Sequence, residues 1–551
     1  MGNRLELKKN LIIPILFFIS VVLVGLFNEY LSCLFSLLLT ITFFILTSGE
    51  KKFRFKLSLP IISLSVIVLF YGLSIFWAVD SGMAFIGFLK YFPICLFAFL
   101  IALQPETKEI IIKLLPYMAA GFAAVSIVFS FIPVLKPYFL VSDRIAGFFQ
   151  YPNTFALFLL ISELLLISKS SKRWFDFLII VFLIFSILYT GSRTAFVLML
   201  IANITVILKL SSKKTKIGAL ISVSTVILAV VLSSLFFDLG ALERFLTISF
   251  ESSTFIGRFL YFKDALPLIL KNPFGLGFMG YYYIQQTIQT GVYSVMYIHN
   301  DFLQLALDIG ILPLMLFVFT IFKSIFSKGI RFVNRIILLT ITLHSCFDFN
   351  LQFVSMFFLL TLFLEEGKGK EITLNRYIPS AIVSFLSLVF LYMGISLSFS
   401  YFGLNEESHK MYPYNTQNQI ELLIDTESEQ IADDILYRNE YVNLAHSVKA
   451  RSFYKKGNFE DLIKRKNRMF SMFPFQYSEY QEYCYMLING RELYLKMGDT
   501  KSAEICAEEL KATRLKVETI ESKLSSLGKK IYDQPKNTLP DEINEYINGI
   551  K

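Results

Sequence analysis

A small set of arginines and histidines has the residue types and spacing to do chemistry. Arg144 stands in Arg-Ile-Ala-Gly-Phe-Phe-Gln-Tyr-Pro-Asn153 and Arg193 in Thr190-Gly-Ser-Arg193. Arg258 stands in Gly-Arg-Phe-Leu-Tyr-Phe-Lys-Asp, followed by Asn272-Pro-Phe-Gly-Leu-Gly277. His299 is followed by Asn300 and Asp301, and His344 precedes Asp348 by four residues. On a continuous helix that last spacing puts both side chains on one face. Guanidinium forks bind phosphate oxygens bidentately. An imidazole takes a proton from an attacking hydroxyl near neutral pH. Arginine also stabilises the charge of a departing diphosphate without a metal. The set therefore points to transfer of a group from a diphosphate to a hydroxyl. The sequence contains no Asp-x-Asp pair of the kind that would hold a metal for a nucleotide-sugar mechanism. The other two histidines, His409 and His446, are expected to be ordinary surface residues.

The elements that must position these residues are apolar runs. Of the 551 residues 55% are hydrophobic and 17% charged, against about 25% charged in a soluble domain. Runs at 11–27, 29–47, 57–78, 83–103, 110–132, 153–168, 174–190, 193–210, 217–237, 299–322, 331–346, 351–364 and 378–402 suit crossing a hydrocarbon core of ~30 Å as helices. Buried soluble helices would account for one or two such runs, not a dozen. The fold class expected is all-α: a polytopic membrane protein of about 12–13 transmembrane helices, with a soluble helical domain after them. The division of 331–364 rests on Asp348, Asn350 and Gln352, which a membrane helix tolerates only if they face protein or water. The first run reads as a retained helix, since no small-residue cleavage site follows it.

Charge sets the orientation. Arg4, Lys8 and Lys9, the group Lys51 to Lys56, and Lys169, Lys172 and Arg173 fall on one side of this span list. So do the groups Lys209 to Lys216 and Lys323 to Arg335. That side is expected to be cytoplasmic. Segments 133–152, 190–193, 238–298, 347–352 and 402–551 then lie outside. A lone arginine at a helix end commonly snorkels to the headgroups, and a lone histidine at a span edge is commonly interfacial. Neither habit explains why several arginines and two histidines gather on the face without the positive bias. On that face they suit a lipid diphosphate.

Beyond Phe402 the composition becomes that of a soluble helical domain. Residues 402–551 carry about 21 Lys and Arg against about 24 Asp and Glu, so the basic excess belongs to the membrane part. The stretches around Gly457-Asn458 and Gly498-Asp499 look alike, each with aromatics shortly before the turn. They read as a degenerate tetratricopeptide-like repeat or a generic helical hairpin. The five cysteines form no metal-ligand spacing; Cys484 and Cys506 either pair or stay free.

The ordered series Arg-x-x-Gly-Phe…Pro-Asn, Thr-x-Ser-Arg, Gly-Arg…Asn-Pro-Phe-Gly-x-Gly, His-Asn-x-Phe-Leu and His-Ser-x-x-Asp, over roughly 140–350, resembles the O-antigen ligase/polymerase superfamily. The resemblance implies a glycosyltransferase of the bacterial cytoplasmic membrane, working on its outer face without metal, nucleotide or other cofactor. Its donor would be an undecaprenyl-diphosphate-linked glycan and its acceptor a glycan, lipid or protein hydroxyl. His299 resembles the acceptor-activating histidine. Arg193 and Arg258, with Arg144, resemble the arginines that hold the donor diphosphate, and His344, Asp348, Asn300 and Asp301 take supporting places. The division expected is a membrane domain over 1–402, with an extracytoplasmic loop at 238–298, and an extracytoplasmic helical domain over 403–551. The added domain leaves the acceptor open and offers a surface to other polysaccharide-assembly proteins. Membrane lipids are expected partners and nucleic acid is not. The expected activity is polymerisation of lipid-linked repeat units, with transfer of a finished glycan as the alternative. A transporter would show internal repeats and charges at midplane; this chain shows neither. A sensor or scaffold built around the C-terminal domain would leave the outer arginines unexplained.

Overall fold

The computed structural model is helical almost throughout, as the apolar runs require. It describes residues 2–48, 50–209 and 253–550, with a few positions between 213 and 224. Five helices are long and apolar enough to cross a membrane: Glu29–Thr47, Leu59–Phe76, Ser81–Leu103, Glu106–Ser130 and Tyr377–Tyr401. Five shorter apolar helices accompany them, at Lys9–Val22, Pro152–Ser168, Trp174–Tyr189, Ile311–Ile325 and Phe332–Ser345. The chain is therefore an all-α polytopic membrane protein. Most of the run expected at 217–237 lies outside the described residues.

Three sequence expectations need correction. The run 299–322 is not one helix: Asp301–Ile309 and Ile311–Ile325 meet at Gly310, whose φ of 91° no helix can contain. The run 351–364 holds only the eight-residue helix Val354–Thr361, every residue of it buried. Eight residues rise about 12 Å, far short of a bilayer, so this is a core helix inside the membrane unit. Third, His446 is buried, with Nε2 2.8 Å from the Glu440 carbonyl. Burial pushes its pKa down.

The break expected within 331–364 is present. Phe332–Ser345 ends, and residues 346–353 run through a turn and the 3-10 segment Asn350–Gln352. Among the described residues, extended structure is confined to two small antiparallel pairs. Lys52–Leu57 pairs with Lys370–Asn375, and Leu140–Val141 pairs with Arg144–Ile145. The basic loop at 51–56 is thus a strand.

The chain divides into two units. The first comprises residues 1–73, 85–249 and 299–401. Its core is aromatic: Phe97 stacks on Phe358 at 4.2 Å and Tyr71 on Tyr91 at 4.2 Å. Several polar groups inside it are paired, as a low-dielectric interior favours. Lys90, with no exposed side-chain surface, meets Glu29 at 3.0 Å. Tyr71 donates to Asp308 at 2.9 Å, and Tyr91 donates to Gln352 at 2.5 Å.

The second unit comprises residues 74–84, 250–298 and 402–551. Asp80 ties its first segment to the C-terminal helices, accepting from the Thr416 hydroxyl at 2.5 Å and from Asn439 at 3.1 Å. Asp264 accepts from the backbone N–H and hydroxyl of Thr290, each at 2.8 Å, and Thr290 bonds the Ser525 hydroxyl at 2.9 Å. Burial raises the Asp264 pKa, and the bonds from Thr290 pull against it. The two similar turns are equivalent bond by bond. Asn458 N–H reaches the Phe453 carbonyl and Asp499 N–H the Tyr494 carbonyl, each at 2.9 Å; Gly457 and Gly498 both take positive φ. Asn458 and Asp499 then cap the next helices through their side chains. The helices so joined, Asn443–Lys455 with Phe459–Met472 and Tyr477–Lys496 with Thr500–Glu518, pack as hairpins. Cys484 and Cys506 are free and buried.

Candidate active site

The first unit brings six of the eight candidate residues into one polar cluster around the turn at 346–353. Asp348 is its centre. It is buried, yet its carboxylate accepts from the Tyr151 hydroxyl at 2.7 Å, Asn153 Nδ2 at 2.6 Å and its neighbour's N–H at 3.0 Å. His299 Nδ1 lies 3.4 Å from Asp348 Oδ1. His299 takes φ +56°, a region where histidine is enriched among non-glycine residues. Its ring meets Phe349 edge to face at 4.9 Å, and Phe349 stacks on Tyr151 at 4.6 Å.

The residues after His299 hold the turn in place. Asn300 caps Asp301–Ile309, accepting from the N–H groups of Phe302 and Leu303 at 3.0 Å, and donates to the Cys346 carbonyl at 2.9 Å. Buried Asp301 accepts the Leu351 N–H at 2.9 Å. Two consecutive side chains thus grip the turn on either side of Asp348, which fixes Asp348 against His299.

Arg144 joins the cluster from the short strand Arg144–Ile145. Its Nη2 donates to Asn153 Oδ1 at 2.6 Å and its Nε to the Thr190 carbonyl at 2.7 Å. The second bond anchors the turn Thr190-Gly-Ser-Arg193, because Arg193 begins the helix Arg193–Lys209 three residues later. Arg193 itself is half-buried.

His344 does not share a helix face with Asp348, since the helix ends at Ser345. It is buried, and Asn350 Nδ2 lies 3.0 Å from its Nδ1. Because Thr154 donates to Asn350 Oδ1 at 3.1 Å, the Asn350 amide nitrogen faces the ring. His344 Nδ1 then accepts from the Asn350 amide. His344 braces the turn and does not touch His299. Arg258 belongs to the second unit, half-buried on Ser253–Lys271. Burial raises the Tyr261 pKa, and the Arg258 charge pulls against it.

Tyr151, Asn153 and Asn350 were not singled out from the sequence as site residues. The signal lay in Tyr-Pro-Asn153 itself: Pro152 starts the helix Pro152–Ser168, so the flanking polar side chains stand at its mouth. Among the described residues, no three His, Cys, Asp or Glu side chains gather as a metal-ligand set.

Residues 178–318 match the family model described as O-antigen ligase. The matched stretch includes Arg193, Arg258, His299, Asn300 and Asp301. Arg144 precedes it, and His344 and Asp348 follow it. No curated protein matches the chain.

Proposed function

We propose that this protein is a glycosyltransferase that polymerises undecaprenyl-diphosphate-linked repeat units into a surface polysaccharide on the outer face of the bacterial cytoplasmic membrane. The observation that carries the reading is the pair His299–Asp348, with Asp348 held by Tyr151 and Asn153 and the arginine-bearing turn 190–193 tied to the same network through Arg144. The similarity of 178–318 to the O-antigen ligase model supports it.

The chemistry follows from the groups. Asp348 accepts a hydrogen bond from His299 Nδ1–H, which fixes the tautomer that leaves Nε2 as base. Nε2 takes the proton of an acceptor sugar hydroxyl as that oxygen bonds the donor's anomeric carbon. The bond from that carbon to the diphosphate breaks, and undecaprenyl diphosphate leaves with its charge stabilised by Arg193. Arg144 positions Asn153 and the Arg193 turn. The N-terminus is cytoplasmic, and the site and the C-terminal helices are extracytoplasmic. Those helices form a tetratricopeptide-like surface for assembly partners.

The alternative, transfer of a finished glycan to a lipid, wall polymer or protein, uses the same donor chemistry, and the family description favours it. Purified protein reconstituted with one undecaprenyl-diphosphate-linked repeat unit, without added metal, separates the two. A ladder of longer lipid-linked chains is expected. Release of undecaprenyl diphosphate only when a separate acceptor is supplied would replace polymerase by ligase. Unchanged transfer in His299→Ala, with normal protein level, would remove the site assignment.

A further inference from the structure

The helix Ser253–Lys271 in the second unit is two-faced. Leu260, Asp264, Ala265, Leu268 and Ile269 are buried on one side. On the other, Phe259, Leu266 and Leu270 are 43%, 50% and 74% exposed. Their spacing of seven and four residues lines them along one stripe. Exposed Lys263 lies on the same stripe between Phe259 and Leu266, with an apolar stem along which its ammonium can snorkel, and exposed Lys271 ends the helix.

The stripe continues beyond the helix. Phe274 is 61% exposed, and Trp77 Nε1 donates to its carbonyl at 3.1 Å, with the two rings edge to face at 6.1 Å. Val79 N–H bonds the Leu276 carbonyl at 2.9 Å. Trp77 directly follows Phe76, the last residue of the membrane-crossing helix Leu59–Phe76, and Phe76 is 84% exposed. Phe274 is thus bonded to the residue that directly follows that span in the chain. A tryptophan and phenylalanines at a span end belong at the headgroup level.

We propose that Ser253–Lys271 and the Phe274 turn lie in the outer leaflet of the membrane, with Phe259, Leu266, Leu270 and Phe274 among the upper acyl chains and Lys263 and Lys271 on anionic phospholipid headgroups. The amphipathic stripe, its two lysines and the bond of Phe274 to the residue that follows a span suit a lipid surface. Arg258 is on the same helix, so the helix carries it at headgroup level. That last step rests on the donor being a lipid diphosphate.

The test uses the unaltered chain in nanodiscs of anionic and zwitterionic phospholipid, with a photoactivatable group near the glycerol and adducts mapped by mass spectrometry. Adducts over 259–274 are expected at about ten times the level on Glu429–Arg438, whose Tyr437 is 92% exposed in the same unit. Lys263→Glu/Lys271→Glu is expected to lower them about tenfold with anionic lipid and little in zwitterionic discs. Adducts confined to the spans would overturn the proposal. So would chain-to-chain cross-links at 259–270 without lipid adducts, which would make the stripe an interface between copies. The readout needs no substrate, so failure of glycan transfer would leave this result standing and would refute only the enzymatic reading.

Discussion

Asp348→Asn is the perturbation that tests the site most directly. The change keeps the side chain's size and removes its charge. At the observed 3.4 Å between His299 Nδ1 and Asp348 Oδ1, an imidazolium and a carboxylate attract by about 5 kcal/mol at an effective dielectric of about 20. The His299 side chain is 24% exposed and Asp348 1%, so water screens part of this; we take about half, ~2.5 kcal/mol. The imidazolium forms only as the acceptor proton moves, so the loss falls on the transition state. It corresponds to a fall in kcat of roughly seventyfold, with KM for the lipid-linked donor nearly unchanged. The asparagine also turns an amide N–H₂ toward Tyr151 or Asn153, both donors to Asp348 now. An unsatisfied buried group of this kind costs about 1–3 kcal/mol of stability. Thermal unfolding in nanodiscs measures that separately, and the rate is compared below the variant's own transition. The decisive measurement is the cycle with His299→Ala. If Asp348 acts through His299, the double variant is no slower than His299→Ala alone. Full additivity of the two losses, or wild-type kcat in folded Asp348→Asn, would refute the assignment.

Three further expectations follow from the packing. Lys90→Met leaves Glu29 without the ammonium now 3.0 Å away and is expected to cost about 3–5 kcal/mol. Adding Glu29→Gln should recover most of it in thermal unfolding, and equal losses in the single and double variants would count against the pair. Gly490→Ala drives a Cβ into the Phe459 ring, and the overpacking is expected to cost about 1–3 kcal/mol. Hydrogen exchange over 443–518 should then rise, and Phe459→Leu in the same chain should lower it again. Glu429 is held from 4.5 down to about 2 by bonds from Lys449, then Lys456 and Ser452. Its folded pKa lies below its unfolded one, so its contribution is present above about pH 4.5 and is lost as the pH falls toward about 2. Exchange in the Asn443–Lys455 helix should increase over that window, and Glu429→Gln should flatten the increase.

How much of this was legible in the sequence depends on the length scale of each signal. Long apolar runs report the span helices well, because ~20 residues of one character leave few other folds. Glu29–Thr47, Ser81–Leu103 and Tyr377–Tyr401 fall within a few residues of where hydropathy puts them. The same signal fails at 299–322 and 351–364. An apolar run says that a segment is dry, and cannot distinguish lipid from a protein interior. Gly310 breaks the first at one residue, and the second is a short helix wrapped in protein. The polar cluster shows the complementary limit. Arg144, His299 and Asp348 stand out because charge inside an apolar sequence is costly. Tyr151, Asn153 and Asn350 are residues common in any loop, and they matter only once folding has set Asp348 within 2.7 Å of two of them. His344 and Asp348 illustrate why spacing alone misleads. Four residues apart suggests a shared helix face, but the chain leaves the helix between them. That departure lets Asp348 turn to His299 while His344 supports the turn through Asn350. The separation of roles is what gives Asp348 a fixed geometry: the groups that hold the turn, Asn300 and Asp301 on its backbone and His344 on the Asn350 side chain, are distinct from those that bond the carboxylate. A variant in the first group should therefore alter the angle at which Asp348 meets His299, and a variant in the second the charge it presents.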